Sequence, residues 1–139
     1  MNVASPLDRY FTALDAGDVE ATTAAFADDA LYIRPSLEVQ GTLEIASGRE
    51  ELHAYFVARG KKPFRHDVRA CAIDGPDVFV EGVATQDGNE LNSFLSHAVI
   101  GEDGLIRRYF ALMAEAPGSK AASASRTRRA RARRAPPRS

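Results

Sequence analysis

Tryptophan is absent from this chain of 139 residues, and cysteine occurs once. A lone Cys71 excludes an intramolecular disulfide. In a strand-like run it reads as a small core or interface residue, not a reactive thiol. No apolar run approaches the roughly 20 residues needed to span a bilayer. The N-terminus lacks a basic start followed by a long apolar stretch, so no signal peptide is expected and a cytoplasmic location is the default. The glycines are scattered at turns and form no phosphate-cradling loop. No spacing of His, Cys and carboxylates suggests a metal site, and no Gly-x-Ser-x-Gly elbow is present. Nothing calls for a nucleotide, flavin or metal, so no cofactor is expected.

Acid is missing from one end. Of the 18 basic side chains, Lys120 and seven arginines follow Glu115, where no acid occurs. That leaves ten basic against 19 acidic side chains in residues 1–115, a net of −9 behind an overall −1. Beyond Ala116-Pro117-Gly118 no apolar side chain is larger than alanine. Residues 116–139 therefore cannot bury enough surface to offset their ordering entropy, and a disordered basic tail is predicted. It reads either as a solvated tail or as an electrostatic arm for nucleic acid or an acidic partner. The lack of interleaved aromatics counts against base stacking. One domain, residues 1–115, remains.

Its most informative stretch is RYFTALDAGDVEATTAAFADDALYIRP, Arg9 to Pro35. Leu7, Tyr10, Phe11 and Leu14 recur at helical intervals, Gly17 stops the helix, and Asp18 caps a second one. Val19, Ala25 and Phe26 carry that second stripe. Asp28-Asp29 is expected to end it, with a strand beginning at Leu31-Tyr32-Ile33. Ser5-Pro6 opens the first helix. Ser47 and Glu50 match a capping box for a third helix carrying Leu52, Tyr55 and Phe56. Residues 36–45 suggest short strands around Gly41. Strands are then predicted over 64–73, 77–86, 90–100 and 104–114, joined by turn-rich connections. Helices followed by an antiparallel meander make an α+β architecture.

These motifs together resemble the nuclear transport factor 2-like superfamily, in particular its SnoaL-like polyketide cyclase and ketosteroid isomerase branches. The resemblance rests on Tyr10, Phe11, Leu14, Gly17-Asp18 and Phe26-Ala27-Asp28-Asp29-Ala30. It continues through GREELHAYF, DVRACA and LSHAVIGEDGLIRRYFALM, covering about Leu7 to Glu115. It implies a cone-shaped fold, with N-terminal helices packed on a curved antiparallel sheet that encloses a pocket. In ketosteroid isomerases a first-helix tyrosine donates to the developing oxyanion, and Tyr10 matches it. Ser96 stands where a protonated aspartate would donate a second hydrogen bond, and Arg34 stands where the aspartate base would be. Arginine cannot accept a proton near neutral pH, so the familiar steroid isomerase route is not expected.

Strand alternation sorts the remaining candidates. Phe79, Glu81 and Val83 are expected to point inward, joined by Asn92, Phe94 and Ser96, then by Arg107, Tyr109 and Met113. His66 shares the parity of Val68 and Ala70. Leu14, Phe26, Tyr32, Leu52, Phe56 and Phe64 would supply apolar walls, the usual setting of a small-molecule site. Glu81 among apolar neighbours needs a partner or a raised pKa, with Arg34 the first candidate and Arg107 the second. It reads as a general acid or base, as a structural ion pair, or as a solvent-facing residue in another register. His66 reads as a proton shuttle or a satisfied core histidine. His53 is expected at the surface, and His97 on the sheet's outer face. That face carries large apolar groups too, which a solvated sheet face would not, so a homodimer through it is predicted.

The function these residues suggest is a cofactor-independent isomerase or cyclase in secondary metabolism. It would act on an apolar, polyketide-like carbonyl compound by proton transfer and enolate stabilisation. Tyr10 and Ser96 would donate to the oxygen, Glu81 or His66 would move the proton, and Arg34 would orient the acid or hold a substrate carboxylate. The alternative is a non-catalytic ligand-binding or scaffold protein with Arg34 and Glu81 as a polar plug.

Overall fold

A computed structural model of the protein describes residues 2–36 and 38–115; the expectations for the basic tail lie outside the described residues. Three helices, α1 (Asp8–Ala16), α2 (Val19–Ala24) and α3 (Arg49–Arg59), accompany six strands. The strands are β1 (Phe26–Pro35), β2 (Leu43–Ser47), β3 (Arg65–Asp74), β4 (Asp77–Gln86), β5 (Asn89–Ile100) and β6 (Ile106–Glu115). They form one open sheet in the order β2-β1-β6-β5-β4-β3. All neighbours are antiparallel except β1 and β6, which run parallel. Among the described residues, no helix is long and apolar enough to cross a membrane.

Local chemistry explains the helix boundaries. Ser5 Oγ accepts from Leu7 N, and Asp8 reaches back to Ser5 N at 3.1 Å, a reciprocal cap at the start of α1. Gly17 ends α1 in the left-handed region at φ 73°. Asp18 then accepts from Ala21 N and starts α2. The third helix departs from expectation: Gly48 occupies its cap position with no side-chain cap bond, while Glu51, not Glu50, accepts from Ser47 N.

The strand after α2 starts earlier than the acidic pair suggests. Phe26 already belongs to β1, and Asp28 and Asp29 lie within it. They are solvent-facing, with Asp28 paired to Arg49 and Asp29 to Arg107. Strict alternation would turn one of two adjacent residues inward; the β1–β6 ladder is irregular between Phe26 and Leu31, so both acids reach solvent without ending the strand.

Three further register shifts, in the antiparallel ladders, decide which residues face the helices. In β3 the ladder skips Arg69, in β5 Leu91, and in β6 Arg107. Each extra residue re-aims the chain on one side of it. An unbroken hairpin through the Asp87-Gly88 turn would set Val83, Glu81 and Phe79 opposite Asn92, Phe94 and Ser96. The skip at Leu91 instead pairs Ala84, Gly82 and Val80 with those residues. Phe79 and Glu81 therefore lie on the outer face, and both are exposed. Val83 is buried but shares their parity, opposite Ser93. Arg107, expected inward beside Tyr109, is likewise turned out to Asp103 and Asp29.

The core lies between the helices and the inner sheet face. Tyr10, Phe11 and Leu14 of α1 pack with Leu52 and Phe56 of α3 and with Phe26, Val68, Val80, Phe94 and Tyr109 of the sheet. Cys71 packs against this cluster half-buried, and burial together with Asp8 holds its thiol above the ordinary value.

Candidate functional site

The core does not fill the space under the helices. A cavity of about 380 Å³ opens between α1, the segment after α3 and the inner face of the sheet. Its walls include Tyr10 and Leu14 from α1, Tyr32 and Arg34 from β1, and His66 from β3. Asn92 and Phe94 of β5 and Tyr109 and Met113 of β6 complete the predicted set, with Phe64 beside them. Phe26 and Phe56 stand behind this wall: both are buried and pack their rings around Tyr10. Phe79 and Glu81 are on the far side of the sheet. The Arg34–Glu81 pair consequently does not form, and the expected convergence reduces to Tyr10 and Arg34.

Gly82 explains how Phe94 reaches the cavity. A Cβ on Gly82 would lie 2.4 Å from the Asp67 carbonyl oxygen and 2.5 Å from the Phe94 ring. Only hydrogen at this position lets the phenyl ring lie across the strand.

On one wall, α1 and β3 bring an imidazole and a carboxylate together. His66 Nδ1 donates to Asp15 Oδ1 at 2.6 Å, and the His66 backbone N–H donates to Asp15 Oδ2 at 2.9 Å. Both side chains are mostly buried, at 12% and 16% exposure. A carboxylate on Nδ1 places the neutral ring's proton there and leaves Nε2 with the lone pair. The ring is stacked on Phe11, 5.1 Å between centroids, and meets the Phe94 ring edge-on at 5.3 Å. Its orientation is thus set by one charge-assisted hydrogen bond and two aromatic faces.

The other wall is a tyrosine cluster. Tyr10 Oη and Tyr32 Oη share a hydrogen bond of 3.0 Å, and Tyr109 Oη and Ser96 Oγ share one of 2.8 Å. The Tyr109 ring stacks on Tyr32 at 5.1 Å and lies 5.0 Å from Tyr10. Ser96 is 1% exposed and sits behind Tyr109 instead of on the cavity surface. Burial raises the pKa of all three phenols, and their mutual repulsion adds to this for Tyr10 and Tyr32. Tyr109 is pushed up to about 12. Each therefore remains a neutral hydroxyl near pH 7, able to donate.

Arg34 occupies a third position. Its Nη1 donates to Tyr55 Oη of α3, and its Nε is buried with no hydrogen-bond partner. Arg59 and Lys62 reach the same cavity from the end of α3 and the segment after it. Asp15, Arg59 and Lys62 were not singled out from the sequence, and Tyr55 only as part of the apolar stripe of the third helix. Asp15 had a signal: it follows Phe11 by four residues and so shares its helix face. The other three depend on how α3 docks on β1. His53 is half-exposed with Glu20 at 2.7 Å, and His97 pairs with Asp77 at 2.7 Å while stacking on Phe79 on the outer face. Neither touches the cavity.

A family profile described as a SnoaL-like domain matches residues 7–109. No curated protein matches. Among solved structures, a protein provisionally described as an isomerase of the SnoaL-like family from Agrobacterium tumefaciens aligns at TM-score 0.64 and 14% identity. That alignment covers 78% of this chain and 94% of the other. One provisionally described as a ketosteroid isomerase, from Kribbella flavida, aligns at 0.62 and 22% identity, covering 80% and 76%. A provisional polyketide cyclase from Sinorhizobium meliloti aligns at 0.58 and 20%, covering 78% and 94%. At such identities these likenesses show the fold alone.

Proposed function

The chain belongs to the SnoaL-like domain family, and from that membership we propose that it is a cofactor-independent enzyme moving a proton beside a carbonyl in a mostly apolar small molecule. The observation that carries this reading is the His66–Asp15 pair on the wall of a cavity that also holds neutral tyrosine hydroxyls. Isomerisation and cyclisation of a polyketide-like substrate both begin with such a proton transfer. The structural neighbours described as an isomerase and a cyclase are consistent with either.

In this reading His66 Nε2 takes the proton from the carbon next to the carbonyl. Asp15 holds the ring in that tautomer and stabilises the imidazolium as it forms. The electron pair moves onto the carbonyl oxygen, where Tyr10 and Tyr109 donate hydrogen bonds. Ser96 acts through Tyr109, turning its hydroxyl. Return of the proton to a different carbon gives the isomer; attack of the enolate carbon on a second carbonyl gives the ring. Glu81 has no part in either step. A homodimer through the outer sheet face belongs to the same proposal, supported by the exposure of Phe79, Leu95 and Leu112 there.

The test starts from thermal-shift screening of ketones, lactones and polyketide mimics, followed by solvent-deuterium exchange at the carbon beside the carbonyl of each ligand found. His66→Gln is expected to slow exchange by about 10²–10⁴-fold while leaving the melting temperature close to wild type. Exchange at an unchanged rate in that variant would remove the proposed base.

A further inference from the structure

Arg34 brings a guanidinium to the cavity wall. Nη1 is committed to Tyr55 and Nε is buried out of reach, so Nη2 is the nitrogen left without a hydrogen bond among the described residues. Its N–H bonds are free to donate, and the charge of the guanidinium favours an anionic acceptor such as a carboxylate. Glu44 lies opposite Arg34 in the β1–β2 ladder yet forms no ion pair with it.

The cavity around this guanidinium is cationic and otherwise largely apolar. Arg59 and Lys62 share it, and no Asp or Glu lines it. Among the described residues neither of those two cations nor Arg34 sits in an ion pair. The nearby carboxylate of Asp15 has both oxygens engaged by His66. Leu14, Phe64, Phe94 and Met113 supply the hydrocarbon surface. We infer that the cavity takes an apolar acid, one carboxylate held by Nη2 of Arg34 and a hydrocarbon body along the apolar wall. A phosphate monoester, with three acceptor oxygens and up to about two negative charges, is the competing ligand that the experiment sets against it. This inference deepens the catalytic reading and rests on it for taking the cavity as the working site.

The experiment uses the full chain, titrated calorimetrically at pH 7.5 and low salt with 2-naphthylacetate, 2-naphthylacetamide and 2-naphthyl phosphate. The acid is expected to bind at least about tenfold tighter than its neutral amide, the scale of one charge-assisted hydrogen bond. Arg34→Gln is expected to bring acid and amide within about threefold of each other while leaving amide binding in place, which shows the cavity intact. Arg34→Lys, which keeps the charge but not the bond to Tyr55 that positions the donor, should retain only part of the preference. Raising the salt should weaken the acid and not the amide. Equal affinity for acid and amide in the wild type would overturn the inference. So would a preference that survives Arg34→Gln, tighter binding of the phosphate, or no binding of any of the three at millimolar concentration. The catalytic reading fails separately: acid preference without His66-dependent proton exchange leaves this inference standing, and exchange without acid preference does the reverse.

Discussion

Tyr109 keeps its proton well past neutrality because burial pushes its pKa up to about 12, above the value near 10 of an exposed phenol. Tyr10 and Tyr32 are raised for the same reason. A folded state that binds these protons more tightly than the unfolded chain gains stability that is fully present below about pH 10. As pH rises through the folded values, that stability is lost. Urea midpoints measured from pH 8 to 11 are therefore expected to stay level and then fall above about pH 10, with Tyr109→Phe flattening the decline. A flat wild-type profile would mean that the phenols are not shielded as described. Glu81 supplies the contrasting case. Phe79 and Val83 on the same strand face made it look buried and therefore reactive, but the strand turns it to solvent. Glu81→Gln is expected to leave proton exchange within about twofold of wild type, as surface substitutions away from a site do.

At the scale of the strand, one residue decides what the cavity contains. Leu91 is unpaired in the β4–β5 ladder, and a side-chain period of two means that a one-residue slip exchanges both faces of β4. The inner face therefore receives Val80, Gly82 and Ala84, small residues that leave room, instead of Phe79, Glu81 and Val83. Gly82 is the tightest of these positions. Gly82→Ala is expected to cost about 1–3 kcal/mol, because its methyl group meets backbone at Asp67 as well as the Phe94 ring. Chemical denaturation measures the loss. Phe94, displaced toward the cavity, should weaken every ligand of this site in parallel, whether charged or neutral.

At the scale of the whole molecule, the outer sheet face carries exposed hydrocarbon. Leu95 is 53% exposed and its β6 partner Leu112 46%; Phe79, 45% exposed, lies diagonally from Leu95 on β4, with Glu81 directly opposite Leu95. Exposed apolar side chains grouped on a sheet face make a surface for association. Leu95→Arg, placed near its centre, is expected to convert the proposed dimer to monomer in light scattering behind a sizing column, with the cavity and its ligand binding retained. A wild-type protein that runs as a monomer at all concentrations would dispose of the dimer. Fold and site differ in how they couple to this face: the cavity lies on the opposite side of the sheet, so dimer loss and turnover loss are separable.

The order and spacing of helix, hinge, strand and turn signals were enough for the α+β class, the family likeness and ten of the side chains now found around the cavity. The reason is physical: helical and strand periodicities, the Gly17-Asp18 break and the inward parity of β5 and β6 are local properties of a chain. Glu81, Phe79 and Arg107 were misplaced because ladder register is not local. It depends on the extra residues at Leu91 and Arg107, which hydrogen bonding to the neighbouring strand alone reveals. Asp15 beside His66, Tyr55 on Arg34 and the two cations at the cavity arise the same way. They join residues 51, 21 and more positions apart, and only the docking of α1 and α3 on the bent sheet brings such side chains within a hydrogen bond of one another.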